Sequence, residues 1–126
     1  MKALIVDDSM VVRTIIKGGI KPMGYEVLQA GNGQEALELL AEHGSSVQLV
    51  LLDWNMPIKD GYETVKEIKA DGRYQHICII MVSTESEDEK VGQALEAGAH
   101  GYLSKPFSEA ELVNKIELTM ASFKSN

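Results

Sequence analysis

Four charged side chains of this 126-residue chain stand where short apolar runs end, and their types could support group-transfer chemistry. Asp7 and Asp8 end the first apolar run, Asp53 ends the third, and Lys105 closely follows the fifth. A buried strand that stops at an acid and then turns places that acid at the rim of a parallel sheet. We therefore expect these four side chains to lie together at one edge of a sheet.

Carboxylates that converge in this way need a positive partner. Two of them about 5 Å apart repel by roughly 3 kcal/mol at an effective dielectric constant near 20. Protonation, a lysine or a hard cation must offset that repulsion. An oxygen-only ligand set with no neighbouring His or Cys favours Mg²⁺ over zinc. A carboxylate nucleophile, Mg²⁺ and Lys105 are together the groups required to transfer a phosphoryl group onto an aspartate.

The elements that must position these groups alternate strand and helix five times, with short connections. The predicted strands are residues 3–6, 25–30, 47–52, 77–82 and a short strand containing Tyr102 and Leu103. The predicted helix caps are Ser9, Asn32, Asp60, Ser86 and Ser108. This pattern indicates one parallel sheet with helices on both faces, and the chain is too short for a closed eight-unit barrel.

Polar residues follow four of the five predicted strands, which is more informative than any one of them alone. Asp7-Asp8, Asp53, Ser83-Thr84 and Ser104-Lys105-Pro106 stand at these ends. The first helix should pack its apolar face inward; that face is Val11, Val12, Ile15, Ile16 and Ile20, with Arg13 and Lys17 facing elsewhere. Trp54 is expected to be a partly exposed aromatic beside the site.

Composition limits the classes of function. Acids outnumber bases by 19 to 12, a net charge of -7, which argues against a nucleic-acid partner. The single cysteine, Cys78, lies in an apolar run and is interpreted as a buried thiol, as expected in a reducing, cytoplasmic compartment. We expect neither a signal peptide nor a membrane partner, since the first apolar run is interrupted by Asp7 and Asp8 and no apolar run is of membrane-spanning length.

The sequence resembles the receiver domain of two-component response regulators, and most of all the stand-alone chemotaxis type. The matching segments are Val6-Asp7-Asp8-Ser9, Leu51-Leu52-Asp53-Trp54-Asn55-Met56-Pro57, Asp60-Gly61, Ala97-Gly98-Ala99, Gly101-Tyr102 and Lys105-Pro106-Phe107. They span nearly the whole chain in the family's order. The resemblance implies a flavodoxin-like α/β fold: a five-stranded parallel sheet of order 2-1-3-4-5, flanked by five helices. It also implies one receiver domain over residues 1–126, without an output domain.

The same resemblance implies roles for the charged residues. Asp53 would be the phosphoacceptor, and Lys105 would pair with the phosphoryl group. Asp8 and Asp53 would bind Mg²⁺ directly, Asp7 would act through water, and the main-chain oxygen of Asn55 would complete the protein ligands.

The resemblance also implies a conformational switch. Ser83 fills the family's hydroxyl position, and Tyr102 that of an aromatic that changes rotamer when the hydroxyl moves; core packing is the alternative role for Tyr102. Pro106 is where the family has a cis peptide bond. Ser83 replaces the usual threonine, which predicts a looser switch. Thr84 replaces the usual alanine, which predicts crowded access, and Thr84 is the alternative working hydroxyl.

The implied function is a single-domain response regulator in two-component, chemotaxis signal transduction. A sensor histidine kinase would phosphorylate Asp53, and the face made by the fourth helix, fifth strand and fifth helix would change its affinity for a downstream protein. A flagellar motor switch is one candidate partner; a phosphotransferase, which would make the chain a relay intermediate, is the other. We expect a monomer that catalyses only its own phosphorylation and dephosphorylation, the latter fairly rapid because Asn55 and Glu85 match the chemotaxis type.

Two other classes of function remain as alternatives. A Mg²⁺-dependent phosphohydrolase with an aspartyl nucleophile would need a second acid two residues after Asp53, where Asn55 cannot donate a carboxyl proton. A flavin or nucleotide binder would need a phosphate loop after the first strand. Asp7 and Asp8 stand there instead, and they repel phosphate unless a cation intervenes.

Overall fold

Five parallel strands form one sheet between two layers of helices in the computed structural model of this chain, which describes residues 1–84 and 87–125. The strands are β1 (Lys2–Val6), β2 (Glu26–Ala30), β3 (Val47–Leu52), β4 (Cys78–Ser83) and β5 (Gly101–Ser104). The helices are α1 (Met10–Ile20), α2 (Gly33–His43), α3 (Gly61–Ala70), α4 (Asp88–Ala97) and α5 (Glu109–Ser125). The spatial order is β2-β1-β3-β4-β5, so the predicted fold class and strand order are confirmed.

The core lies on both faces of the sheet because side chains of a strand alternate between them. In β1, Leu4 and Val6 pack with α2, α3 and α4, whereas Ala3 and Ile5 pack with α1 and α5. Cys78 is buried, as predicted, and burial raises the pKa of its thiol to about 11, so the thiol stays protonated at neutral pH. No helix in the described ranges combines the length and apolar character needed to cross a membrane.

Polar caps fix where the helices begin, and thereby the short loops at the site edge. Ser9 Oγ accepts from the Val12 amide at 3.3 Å to start α1. The side chains of Asn32, Asp60 and Ser108 accept in the same way from the amides of Glu35, Glu63 and Glu111, respectively. These predicted caps are confirmed. The remaining one, Ser86, lies outside the described residues.

The apolar face of α1 is narrower than predicted. Ile16 and Ile20 are buried, but Val11 is 69% exposed and Ile15 is 57% exposed, so the prediction that both pack inward is wrong. The helix packs on the sheet and on α5 along one stripe, and each residue turns about 100° around the axis. Val11 and Ile15 each stand one position before that stripe and therefore face solvent, as does Met10.

Candidate functional site

The acids of the candidate site stand side by side because β1 and β3 are neighbours in the sheet. Val6 and Leu52 are paired in the parallel register, so Asp7 and Asp53 leave the sheet at the same level. The Asp53 amide donates to the Val6 carbonyl at 2.9 Å, which extends the pairing to the acid itself. The sheet topology therefore fixes the acid pair, as the strand-end argument predicted.

Three carboxylates converge at this edge. One oxygen from each of Asp7, Asp8 and Asp53 lies within 4.8 Å of the others. Asp7 and Asp53 are only 2% and 7% exposed, whereas Asp8 is open to solvent. This hard, oxygen-only donor set fits Mg²⁺, which keeps some of its waters and needs an open side for them. The acidic cluster is thus compatible with a metal site.

Lys105 brings a positive charge to the cluster from the loop after β5. Its Nζ lies 2.7 Å from Asp7 Oδ2 and 3.6 Å from Asp53 Oδ2. The Lys105–Pro106 peptide bond is cis, as the resemblance implied. Burial raises the pKa of Asp53, Lys105 opposes this, and Asp7 adds to it. A cation beside Asp53 would favour the ionised form that a nucleophile requires.

Arg13 belongs to the site, although the helical pattern of α1 predicted that it faces elsewhere. Its Nη1 donates to the main-chain oxygen of Asp7 at 2.5 Å, and its Nε donates to Gln29 Oε1 at 3.1 Å. Helical side chains point back toward the N-terminus, so an arginine one turn into α1 can reach the loop before it. The position of Arg13, one turn into α1, was the signal in the sequence that could have predicted this contact. Arg13 holds the backbone that carries Asp7 and Asp8.

Trp54 is buried, at 6% exposure, so the prediction of a partly exposed aromatic is wrong. Its ring lies 5.5 Å from the Tyr62 ring of α3, and Lys90 Nζ of α4 lies 5.0 Å from its centroid. Its amide donates to Asp53 Oδ1 at 2.8 Å. The sequence next to Trp54 gives no sign that residues of both α3 and α4 contact its ring. Trp54 consequently joins the acid cluster to α3 and α4.

Ser83 and Thr84 occupy different environments at the end of β4. Ser83 is fully buried, and its carbonyl accepts from the Lys105 amide at 2.9 Å. Met81 pairs in register with Tyr102, and both pack in the core cluster beneath α2, α3 and α4. Because strand side chains alternate, Ser83 faces the same side as Met81 and Tyr102. Thr84 is exposed.

The loop between β3 and α3 carries two further residues of interest. Asn55 is exposed, two residues after Asp53. Ile58 has a positive φ of 70°, which nothing in the sequence predicted.

Glu85, which follows β4 and is predicted to tune hydrolysis, lies outside the described residues.

Comparison with known proteins identifies the family. A family model described as "Response regulator receiver domain" matches residues 3–117. The chain belongs to the response regulator receiver domain family. A curated relative of this receiver, "Chemotaxis protein CheY1" of Helicobacter pylori strain J99, is 42% identical over 97% of this chain and 98% of its own length.

Solved structures agree with this assignment. The CheY4 chemotaxis protein of Vibrio cholerae superposes with a TM-score of 0.86 at 33% identity, over 94% of this receiver and 97% of that chain. A CheY from Borrelia burgdorferi, solved as a complex described as CheX-CheY-BeF3-Mg, superposes with a TM-score of 0.90 at 25% identity, over 95% and 89%. The prediction of a two-component response regulator homologous to chemotaxis regulators is confirmed.

Proposed function

We propose that Asp53 accepts a phosphoryl group from the phosphohistidine of a sensor kinase, and that the phosphorylated receiver acts through a protein contact. One observation carries this proposal: Lys105 Nζ and three carboxylates, among them Asp53, converge at the carboxyl edge of the sheet. An acid that only caps a helix would not need a lysine and two other carboxylates beside it. On this proposal the chain catalyses only its own phosphorylation and dephosphorylation.

The proposed transfer is a displacement at phosphorus. A carboxylate oxygen of Asp53 attacks, the P–N bond to the donor histidine breaks, and the imidazole leaves with the electron pair. Lys105, already 3.6 Å from Asp53 Oδ2, would neutralise charge on the equatorial phosphoryl oxygens. The buried surroundings of Asp53 strengthen this electrostatic assistance, because little water screens it.

The donor set supports a magnesium ion held by this receiver's own residues. Asp8, Asp53 and the main-chain oxygen of Asn55 would bind it directly, and Asp7 would act through water. The close pairing of Asp7 with Lys105 favours this indirect role, since that carboxylate already has a cationic partner. When bound, Mg²⁺ offsets the repulsion of the acids and the charge of the incoming phosphoryl group.

The proposed output is a change on the face formed by α4, β5 and α5. A phosphoryl group adds charge near Ser83, whose hydroxyl would move toward it, and Tyr102 would follow into the vacated space. The shared orientation of Ser83 and Tyr102, and their position on neighbouring strands, support this coupling. The switch is a two-state element biased by charge. A flagellar motor switch or a phosphotransferase would be the downstream partner.

Phosphorylation by acetyl phosphate tests the acceptor. With Mg²⁺ present, the protein should gain one labile phosphate by intact mass, and Trp54, the single tryptophan, should change fluorescence because its amide contacts Asp53. Asp53→Asn should abolish both signals, while Asp88→Asn, an exposed acid on α4, should keep them. Phosphate that persists in Asp53→Asn would refute the assignment. Multiple turnover of a small phosphate ester would instead favour the phosphohydrolase.

A matched pair of variants tests the switch. Ser83→Ala should still accept phosphate but lose the NMR shift changes of the β5 amides that accompany phosphorylation. Thr84→Ala, at the exposed neighbour, should keep those changes. The reverse result would make Thr84 the working hydroxyl. If both variants keep the shift changes of the β5 amides that accompany phosphorylation, coupling through either hydroxyl is contradicted.

A further inference from the structure

Every polar group of Asp7 has a partner. Its amide donates to the Ala30 carbonyl at 3.1 Å, and its Oδ1 accepts from the Ser9 amide at 2.9 Å. Its Oδ2 lies 2.7 Å from Lys105 Nζ. Its main-chain oxygen accepts from Arg13 Nη1 at 2.5 Å. Because Asp7 is only 2% exposed, these four contacts fix the first acid of the site with little competition from water.

The next residue, Asp8, is exposed, but its backbone is held from both sides. One of its carboxylate oxygens lies within 4.8 Å of an oxygen of Asp7 and of Asp53. The peptide that joins Asp7 to Asp8 is planar, so the carbonyl that Arg13 holds also fixes the direction of the Asp8 amide. The bond from the Ser9 amide to Asp7 Oδ1 fixes the peptide that follows Asp8. The position of the Asp8 backbone is therefore set by its neighbours, and one of them is Arg13.

Arg13 is itself held from the neighbouring strand. Its Nε donates to Oε1 of Gln29, which belongs to β2. A Cβ on Gly31 would lie 3.8 Å from Arg13 Nη1, so the guanidinium also passes over the backbone that follows β2. The donors of a guanidinium keep a fixed planar geometry, so the contacts to Gln29 and Asp7 together determine its orientation. A lysine carries all its donors on one nitrogen and could not reproduce both contacts.

From these contacts we infer that Arg13 is a positioning residue for Asp8, and that Gln29 orients the guanidinium for this role. The inference rests on the proposed function, which makes Asp8 a direct magnesium ligand. A carboxylate whose backbone is already in place loses less conformational freedom when it binds a metal, and the affinity rises accordingly. Arg13 would act only through the backbone between Asp7 and Asp8, and would contact neither the metal nor the phosphoryl group.

The direction of one effect separates positioning from charge. Arg13 carries a positive charge near a proposed cation site, so by charge alone its removal would tighten magnesium binding. Positioning predicts the opposite. In Arg13→Met the Kd for Mg²⁺ should rise about tenfold, as when a residue that orients a metal ligand is lost. Arg13→Lys keeps the charge but loses the planar fork, and its Kd should also rise about tenfold.

Magnesium titration of the unphosphorylated protein, followed by Trp54 fluorescence, measures these Kd values without a phosphodonor. Gln29→Ala, at an exposed position, removes the second contact of the guanidinium, and its Kd should rise about threefold, the effect of one hydrogen bond. Lys17→Met removes a positive charge one turn further along α1 and should leave Kd unchanged. In metal-free Arg13→Met, ¹⁵N relaxation should show a more mobile Asp8 amide, an effect that a role in overall stability alone would not produce.

Each other outcome overturns the inference in a distinct way. An unchanged or lower Kd in Arg13→Met, or an Asp8 amide as rigid as in wild type, would show that Arg13 does not position Asp8. A wild-type Kd in Arg13→Lys would show that charge suffices, and one in Gln29→Ala would remove the role of Gln29. These two variants decide the question if Arg13→Met does not fold. An equal rise in Lys17→Met would assign the effect to charge lost from α1.

Asp8→Asn tests the proposed metal site independently of Arg13. An unchanged Kd in Asp8→Asn would refute the proposal that Asp8 is a direct ligand. A raised Kd in Asp8→Asn together with a wild-type Kd in Arg13→Met would overturn only the positioning role and would leave the proposed function intact.

Discussion

Lys105 Nζ lies 2.7 Å from Asp7 Oδ2, nearer than its 3.6 Å separation from Asp53 Oδ2. Lys105 is therefore closer to Asp7, which is proposed to bind the metal through water, than to Asp53, the proposed phosphoacceptor. Both partners are largely buried, with the Lys105 side chain 15% exposed and that of Asp7 3% exposed. The ion pair with Lys105 neutralises Asp7. Asp53 Oδ2, at 3.6 Å from the lysine, makes no ionic contact as short as this one.

This asymmetry predicts unequal coupling energies. In metal-free buffer, a double-mutant cycle of Lys105→Met with Asp7→Asn should give a coupling free energy of about 1–2 kcal/mol, because Lys105→Met alone leaves a buried charge without its partner. The same cycle with Asp53→Asn should give a smaller value. Urea unfolding of the variants measures both. Coupling to Asp53 equal to or above that to Asp7 would contradict the geometry.

Magnesium should stabilise the folded protein through the acid cluster. At a free Mg²⁺ concentration about 100 times Kd, the free energy of unfolding should rise by about 2.7 kcal/mol. Asp8→Asn removes a proposed direct ligand and should raise Kd at least about tenfold. Asp88→Asn, an exposed acid on α4, serves as the matched control and should leave Kd unchanged. Equal Mg²⁺ stabilisation of both variants would place the ion elsewhere.

His100 should make stability depend on pH. Its Nδ1 accepts from the Ile79 amide at 3.0 Å, a bond that only the neutral ring can form at that atom. Burial, with Lys69 adding to it, lowers the pKa of His100 in the folded protein below the ordinary 6.5. Below pH 6.5, the unfolded chain therefore binds more protons than the folded protein. The contribution of His100 to the free energy of unfolding is complete above that pH and is lost as the pH falls below it.

A conservative variant isolates this effect. His100→Asn offers an amide oxygen as acceptor without a titrating group, so its unfolding free energy should vary less with pH than that of wild type. His100→Ala should lose about 1 kcal/mol at neutral pH, because the buried Ile79 amide loses its partner. Urea unfolding on both sides of pH 6.5 gives the comparison. An identical pH profile for wild type and His100→Asn would exclude His100 as the cause.

Two glycines should respond oppositely to alanine. A Cβ on Gly61 would overlap the Asp53 carbonyl oxygen and lie 2.9 Å from Trp54 Cα, so Gly61→Ala should destabilise the protein by about 3 kcal/mol and slow phosphorylation. Gly92, inside α4, has open space around it, and Gly92→Ala should stabilise by about 0.5–1 kcal/mol. Thermal unfolding measures both. Tolerance of Gly61→Ala would mean that the acceptor loop can shift without loss of stability.

Local signals made most of the fold predictable. Strand β3 begins and ends at the predicted residues, because Val47 and Leu52 bound an apolar run between polar neighbours. The start of α5 follows from Ser108 and Glu111, which bond each other's amides as a capping box. The strand-end rule located Asp7, Asp53 and the lysine at one edge. Each of these signals lies within a few residues of the feature that it predicts.

Contacts between distant elements could not be predicted in the same way. The burial of Trp54 depends on Lys90 and Tyr62, which belong to two later helices. The exposure of Ile15 depends on how wide a stripe α1 shares with the sheet and α5. Helical periodicity identifies residues that could face inward, but it does not give the width of the contact.

By itself, the sequence determined that acids and a lysine would meet at the carboxyl edge of a parallel sheet, because alternation of strands and helices leaves few other arrangements. Only the folded structure shows that Lys105, 98 residues from Asp7, lies nearer to that acid than to Asp53. It also shows that Arg13 holds the Asp7 backbone. The strain and exposure of Ile58 likewise appear only in the fold. The physical reason is that side-chain pairing and loop strain arise from the packing of elements far apart in the chain, which local patterns do not specify.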